Sequence, residues 1–157
     1  QDNIENFIYN DEKLDLIVDE CDSLDIKILL RKKSKINRIP VVMDTSDRGM
    51  IDIERFDLEP NRPILHGLID EAIDTNILKN YSYEEKVATV LKIIGSEEIS
   101  DRLKFSFQEI GKTINTWPQL ASSVTIGGGV ITDVSRRILL NRHKVSGRFY
   151  VDIESII

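Results

Sequence analysis

One stretch, residues 14–52, constrains the fold more than any other: LDLIVDECDSLDIKILLRKKSKINRIPVVMDTSDRGMID. An apolar run (Leu14, Leu16, Ile17, Val18) ends in acids at Asp19, Glu20 and Asp22. Short, nearly continuous apolar runs read as buried strands. Ser23 stands where a helix cap belongs, and Lys32, Lys33, Lys35 and Arg38 gather toward the end of the segment that follows. Cations there suit the negative end of a helix dipole. A second apolar run enters at Pro40 and ends at Asp44, before a polar turn. The pattern predicts a strand, a crossover helix and a parallel strand. Acids then lie at the carboxyl end of the first strand, the edge where open α/β sheets bind ligands.

The rest of the chain adds elements around that unit. Ser46-Asp47-Arg48-Gly49 reads as a turn, with Met50, Asp52 and Glu54 alternating against Ile51, Ile53 and Phe56. That alternation predicts a half-exposed strand and so an added hairpin. Residues 59–63 (EPNRP) break the chain, and helices are expected over 68–78 and 83–94, the second closed by Gly95 and Ser96. Ser96 or Ser100 begins another helix toward Ile110. Trp117-Pro118 is expected to open a long apolar helix, with Pro118 in its first turn. Residues 147–153 (GRFYVDI) read as a last strand, and residues 1–11 as a connection or partial edge element.

At 157 residues the chain fits one domain with a real core. Its 41% hydrophobic and 31% charged residues are ordinary for a folded protein. A net charge of -6 argues against a general nucleic-acid surface. A lone cysteine excludes an internal disulfide and a cysteine-based zinc site. No run reaches the roughly 18 to 20 apolar residues that span a bilayer, and a cytoplasmic setting is expected. The chain opens on Gln1 rather than Met and reads as an excised or processed piece.

Asp19-Glu20-Cys21-Asp22-Ser23, then Lys27, then Ile39-Pro40-Val41-Val42 before a polar turn, resembles the middle of the ThiF/MoeB family. These are adenylylating enzymes related to ubiquitin-activating enzymes. The resemblance is strongest over residues 12–56 and resumes over 118–140. It implies a partial Rossmann-type α/β domain with a mostly parallel sheet, an added hairpin and several carboxy-terminal helices. The family's phosphate loop precedes the aspartate-bearing strand. A G-x-G-x-x-G loop belongs after the first strand of such a domain, and nothing before Leu14 supplies one. The chain therefore resembles the carboxy-terminal part of a domain whose amino-terminal half is its missing partner.

The intact domain, by this resemblance, adenylylates a carboxylate with ATP and magnesium. The carboxylate would come from a protein tail, a peptide or a small acid. The resemblance gives Asp22 the catalytic and magnesium-holding role, with Asp19, Asp22 and Lys27 as the nucleotide-binding set. Magnesium takes one or two carboxylates plus phosphate oxygens, which agrees. Capping of the next helix is the plainer account of Asp22 and Ser23. Lys27 stands where the family has arginine and lacks that residue's planar fork. Arg31, one turn on, is expected on the helix surface.

Cys21, set among acids, is no nucleophile. Residues 57–79, where thioester-forming relatives carry their cysteine, contain none. Asp44, Asp47 and Arg48 lie near the same edge, while His66 and His143 are expected to be structural or exposed. Arg136, Arg137, Arg142, Lys144 and Arg148 form a basic cluster read as a solvated face. Gly127-Gly128-Gly129 sits inside an apolar helix pattern and implies close backbone approach, with Gly128 at its centre. That helix and the uncovered sheet edge predict a homodimer. A non-catalytic scaffold or dimerisation module is the alternative, as is a cofactor-binding module beside another enzyme. By analogy with ThiF-like segments joined to nitroreductase-like domains, that enzyme could be such an oxidoreductase. The isolated chain is expected to be inactive and to bind no ATP.

Overall fold

A computed structural model describes residues 3–116 and 118–157. The chain is α/β, with one four-stranded sheet in the order β1-β2-β3-β4. Strand β1 (Ile17–Val18) pairs parallel with β2 (Val41–Thr45), with Ile17 opposite Val41. Strand β3 (Met50–Glu54) runs antiparallel to β2, and β4 (Gly147–Tyr150) antiparallel to β3. The sheet is therefore mixed and mostly antiparallel, a correction to the mostly parallel expectation. Only β1 and β2 are joined by a crossover helix. The β2–β3 link is a tight turn, which can join only antiparallel neighbours.

That crossover is α2 (Leu24–Ile36), with Ser23 at its N-cap and Lys33 and Lys35 in the last turn. The Ser23 hydroxyl turns to Asp25 rather than to a helix amide. In the β2–β3 turn, Arg48 and Gly49 both have positive φ (54° and 55°). A Cβ on Gly49 would also lie 2.5 Å from the Val151 carbonyl oxygen, so that position accepts only glycine.

Two apolar layers flank the sheet. On one face Ile17, Val41, Met43 and Met50 meet Leu24 and Ile28 of α2 together with Phe56, Ile64 and Leu65. On the other, Val42, Ile51 and Ile53 pack on Ile131 and Ile138 of α6 (Ala121–Leu139). Full burial of one such side chain stabilises by roughly 1.5–3 kcal/mol, so this sandwich holds the sheet in place. Strand β3 is buried at every position. Asp52 and Glu54 are inside, not on a half-exposed face.

Around this frame lie α1 (Ile4–Ile8), α3 (Thr75–Leu78), α4 (Tyr83–Ile94) and α5 (Asp101–Glu109). Helix α4 starts with a capping box between Ser82 and Glu85 and closes at Gly95 (φ 85°). Of the two expected starts, Ser96 and Ser100, it is Ser100 that caps α5. Helix α3 covers only the end of the expected 68–78 helix. Asp70 and Asp74 accept hydrogen bonds from the amides of Ala72 and Asn76, and such local bonds compete with a helix. The last helix begins at Ala121, so Pro118 precedes it rather than occupying its first turn. Trp117, expected at that start, lies outside the described residues. Among the described residues no helix is long and apolar enough to cross a membrane.

Candidate functional site

The carboxyl ends of β1 and β2 open onto a cleft of about 230 Å³. Asp19, Asp22 and Lys27 all line it, as do Glu20, Cys21, Asp44 and Asp47. Its far wall is apolar, made by Ile93 and Ile94 of α4, Ile99, and Leu103 and Phe107 of α5. Asp47 fastens that wall by accepting hydrogen bonds from the Ser100 amide (2.8 Å) and hydroxyl (2.5 Å). The carboxyl edge thus carries a cleft, and Asp19, Asp22 and Lys27, the three residues expected to bind nucleotide, line it together.

Their chemical states differ sharply. Asp19 is 2% exposed and is shared by three side chains. Lys27 Nζ lies 2.9 Å from its Oδ2, Arg31 Nη1 pairs with the same oxygen, and the Cys21 thiol donates to Oδ1 at 2.8 Å. Burial alone would raise the Asp19 pKa, but Arg31 and then Lys27 outweigh it and bring it below the ordinary carboxylate value. Lys27 is held by this pair and by Met43 Sδ at 3.3 Å. Cys21 is pushed up to about 11, by burial first and then by Asp19, so the thiol stays protonated and non-nucleophilic.

Asp22 is exposed at the cleft rim and makes no hydrogen bond or ion pair among the described residues. It caps nothing, which removes the plainer account of this carboxylate. Glu20 accepts from the Asp44 amide at 3.0 Å, and burial raises its pKa. The Asp44 Oδ1 atom is buried without a hydrogen-bond partner among the described residues, and burial raises this carboxyl to about 6, against a smaller opposing effect of the Thr45 amide. Its carboxylate packs directly on α6 at Gly127, where a Cβ would overlap it. The glycine triplet's close approach is therefore at Gly127. Gly128 and Gly129 face open space, which corrects the expectation centred on Gly128.

A second polar assembly runs behind the cleft. Arg31 is fully buried, not on the helix surface, and joins Asp19 to Glu54 (Nε–Oε2 2.6 Å). Glu54 also accepts the Leu65 amide at 2.6 Å. Beside it Asp52 holds His66 Nε2 at 2.9 Å and, across the strand pair, Arg148 Nε at 2.8 Å. Leu65 and His66 both take positive φ (47° and 56°), a conformation that non-glycine residues adopt rarely. The two buried acids of β3 pin that turn. Alternation hid this assembly, because acids at every second position read as a solvent face. Arg31 and Lys27, one turn apart on the crossover helix above those acids, were the available signal.

The remaining candidates are structural. Arg48 pairs with Asp152 at 2.9 Å and stacks over Tyr150, 5.2 Å from the ring centre. His143 bonds the Val145 carbonyl and meets the Phe149 ring edge-on. Arg136 and Arg137 both pair with Asp133, and Arg148 with Asp52, so they form no joint anion site with Arg142 and Lys144.

Magnesium–ATP would need oxygen donors for the metal and cations for the phosphates. The free Asp22 carboxylate suits a hard cation, which needs one or two such groups beside phosphate oxygens. Among the described residues no group of three or more His, Cys, Asp and Glu is placed to hold a metal by itself. The cations lining the cleft are engaged, Lys27 by Asp19 and Arg102 by Glu154. Among the described residues the cleft thus offers in Asp22 a carboxylate of the kind a hard cation takes, and no unengaged lysine or arginine for a phosphate.

No family model and no solved structure matches the chain. It is similar to the uncharacterized protein MT1398 of Mycobacterium tuberculosis (strain CDC 1551 / Oshkosh), at 42% identity over 144 residues. The match covers 92% of this chain and 20% of that protein, so the chain spans about a fifth of the length of this relative.

Proposed function

We propose that the chain is the carboxy-terminal part of a ThiF/MoeB-like domain, whose intact form adenylylates a carboxylate with ATP and magnesium. One observation supports this above the rest. A parallel β1–α2–β2 unit sets the unengaged Asp22 carboxylate at a cleft on the carboxyl edge of the sheet. When bound, magnesium–ATP would supply an electrophilic phosphorus and a pyrophosphate leaving group. Asp22 would hold the metal through a carboxylate oxygen. Asp19, saturated by Lys27 and Arg31, would fix the strand end that carries Asp22 rather than touch the nucleotide. The apolar wall of α4 and α5 would keep water from the reacting groups. The substrate class is a protein tail, peptide or small acid with a free carboxylate.

Calorimetry of ATP against the whole encoded polypeptide, with and without magnesium, tests this reading. Magnesium-dependent binding that Asp22→Asn weakens by about tenfold or more is expected, in line with losses at metal-supporting positions. Absence of binding by the wild-type polypeptide would refute the proposal. A non-catalytic module beside another enzyme, such as a nitroreductase-like one, is the alternative. The closed Asp19–Lys27–Arg31 network favours it, and the same calorimetry separates the two.

A further inference from the structure

We infer that Asp44 is a pH-sensitive latch between the end of β2 and the first half of α6, holding the helix while protonated and releasing it when ionised. The inference takes the cleft of the preceding reading as the site but needs no nucleotide in it. Near the end of β2, Asp44 sends its carboxyl to the α6 side of the sheet, where a Cβ on Gly127 would overlap both of its oxygens. The group is therefore pressed on bare helix backbone. Amides in the middle of a helix are spent on the helix's own carbonyls, so α6 offers it no donor. Accordingly Oδ1 is buried with no hydrogen-bond partner among the described residues. A carboxylate in such a place is costly, while the neutral acid is tolerated.

The charges around Asp44 do not offset that cost. From the end of β1, Glu20 accepts the Asp44 amide and brings a like charge. Asp22 stands at the same cleft, and Asp47 in the following turn is held by Ser100. On α2, Lys27 is taken by Asp19, and Arg31 by Asp19 and Glu54. The β3 neighbour is Ile51, and residues 121–132 of α6 include no ionisable side chain. Burial therefore lifts this carboxyl from the usual 3.8 to about 6. A carboxyl raised in its packed place favours packing while protonated, and the advantage is lost as pH rises from about 4 through about 6. A gap of about two pKa units is roughly a hundredfold in the ratio of packed to released forms. What the latch moves is a wall of the cleft. Residues 118–120, which lead into α6, line it together with Asp44. Once ionised, the carboxylate gains water by turning from Gly127 to the cleft. That frees the entry of α6 and adds a reachable negative charge to the site.

Amide hydrogen exchange of the whole encoded polypeptide tests this, read by mass spectrometry on peptides within residues 118–131 at pH 5 and pH 8. After correction for the intrinsic rate, exchange there should be at least tenfold faster at pH 8, while peptides from α2 keep one rate. Asp44→Asn, neutral at both pH values, should remove the difference, and Asp44→Ser supplies a second neutral side chain. Equal corrected rates in the wild type would overturn the inference without recourse to any variant. So would a difference that persists in a neutral variant, or one that α2 shares in full, since the change would then be global. Exchange that depends on pH, with no ATP bound in calorimetry, would sink the nucleotide reading alone. ATP binding with exchange indifferent to pH would sink the latch alone.

Discussion

Arg31 Nε donates to Glu54 Oε2 at 2.6 Å with both side chains wholly removed from solvent, while the other arm of the guanidinium holds Asp19. One cation on the crossover helix thereby joins the end of β1 to the interior of β3. Removing one partner of a buried ion pair typically costs about 3–5 kcal/mol, because the remaining charge stays buried and unpaired. Arg31→Met should destabilise the chain by about that amount in urea unfolding. A loss under about 1 kcal/mol would show that water reaches these acids.

Within this triad Asp19 contributes to the acid limb of stability. The folded pKa of Asp19 lies below its ordinary value, so folding is favoured where the carboxylate is ionised. That contribution is present above about pH 4 and disappears as pH falls through the lower, folded value. Asp19→Asn should therefore flatten the fall in stability below pH 4. An unaltered acid limb in the variant would remove Asp19 from the linkage.

Gly127 and Gly128 are adjacent but should respond oppositely. A methyl group on Gly127 meets the Asp44 carboxylate, whereas one on Gly128 meets nothing within 4 Å. Gly128→Ala should stabilise by roughly 0.5–1 kcal/mol, the usual gain at an open helical position. Gly127→Ala should destabilise, and Asp44→Ala should restore most of that loss, as neighbouring sites couple. If the two alanines behave alike in thermal unfolding, the close packing of α6 on β2 is wrong.

How far these features could be read from the residues depended on whether the determining contacts were local. The helix over 83–94 with its close at Gly95, Ser100 ahead of α5, and the apolar–acid–helix–apolar run of 14–44 are local patterns, and the structure bears them out. Asp22 and Asp19 were placed at the cleft edge by the same run. Strand β4 returns from about a hundred residues away, so nothing nearby revealed that it makes the sheet mostly antiparallel. Likewise Asp52 and Glu54 read as solvent-facing, because their partners Arg31, His66 and Arg148 come from three other segments. The glycine triplet signalled close approach but not which residue made it.

Asp44 supplies a pH signature of opposite sign to that of Asp19. Its carboxyl is raised to about 6 from the usual 3.8, by burial. A carboxyl with a raised folded pKa favours folding while protonated, and that advantage is lost as pH rises from about 4 through about 6. Asp44→Asn should thus gain stability relative to wild type at pH 8 and little at pH 4, with the change centred between those values. Chemical denaturation at the two pH values decides it. Equal effects at both would mean that Asp44 stays ionised throughout.

Asp22 separates a nucleotide site from a helix-capping residue. Its carboxylate is exposed and engages no backbone amide of α2, so Asp22→Asn should shift the Tm by no more than about 2 °C, as expected for a surface change within about 0.5 kcal/mol. In the encoded polypeptide the same variant should lose magnesium-dependent ATP binding, because asparagine keeps the shape but not the charge that a hard cation requires. Lys27→Ala should act differently. It leaves the buried Asp19 with one cation, Arg31, beside the neutral Cys21 donors, and should lower stability measurably, whatever happens to ATP. Normal ATP affinity in Asp22→Asn, with Tm unchanged, would leave this carboxylate as an ordinary surface group. A large drop in Tm would instead assign it a structural duty that the contacts of α2 do not display.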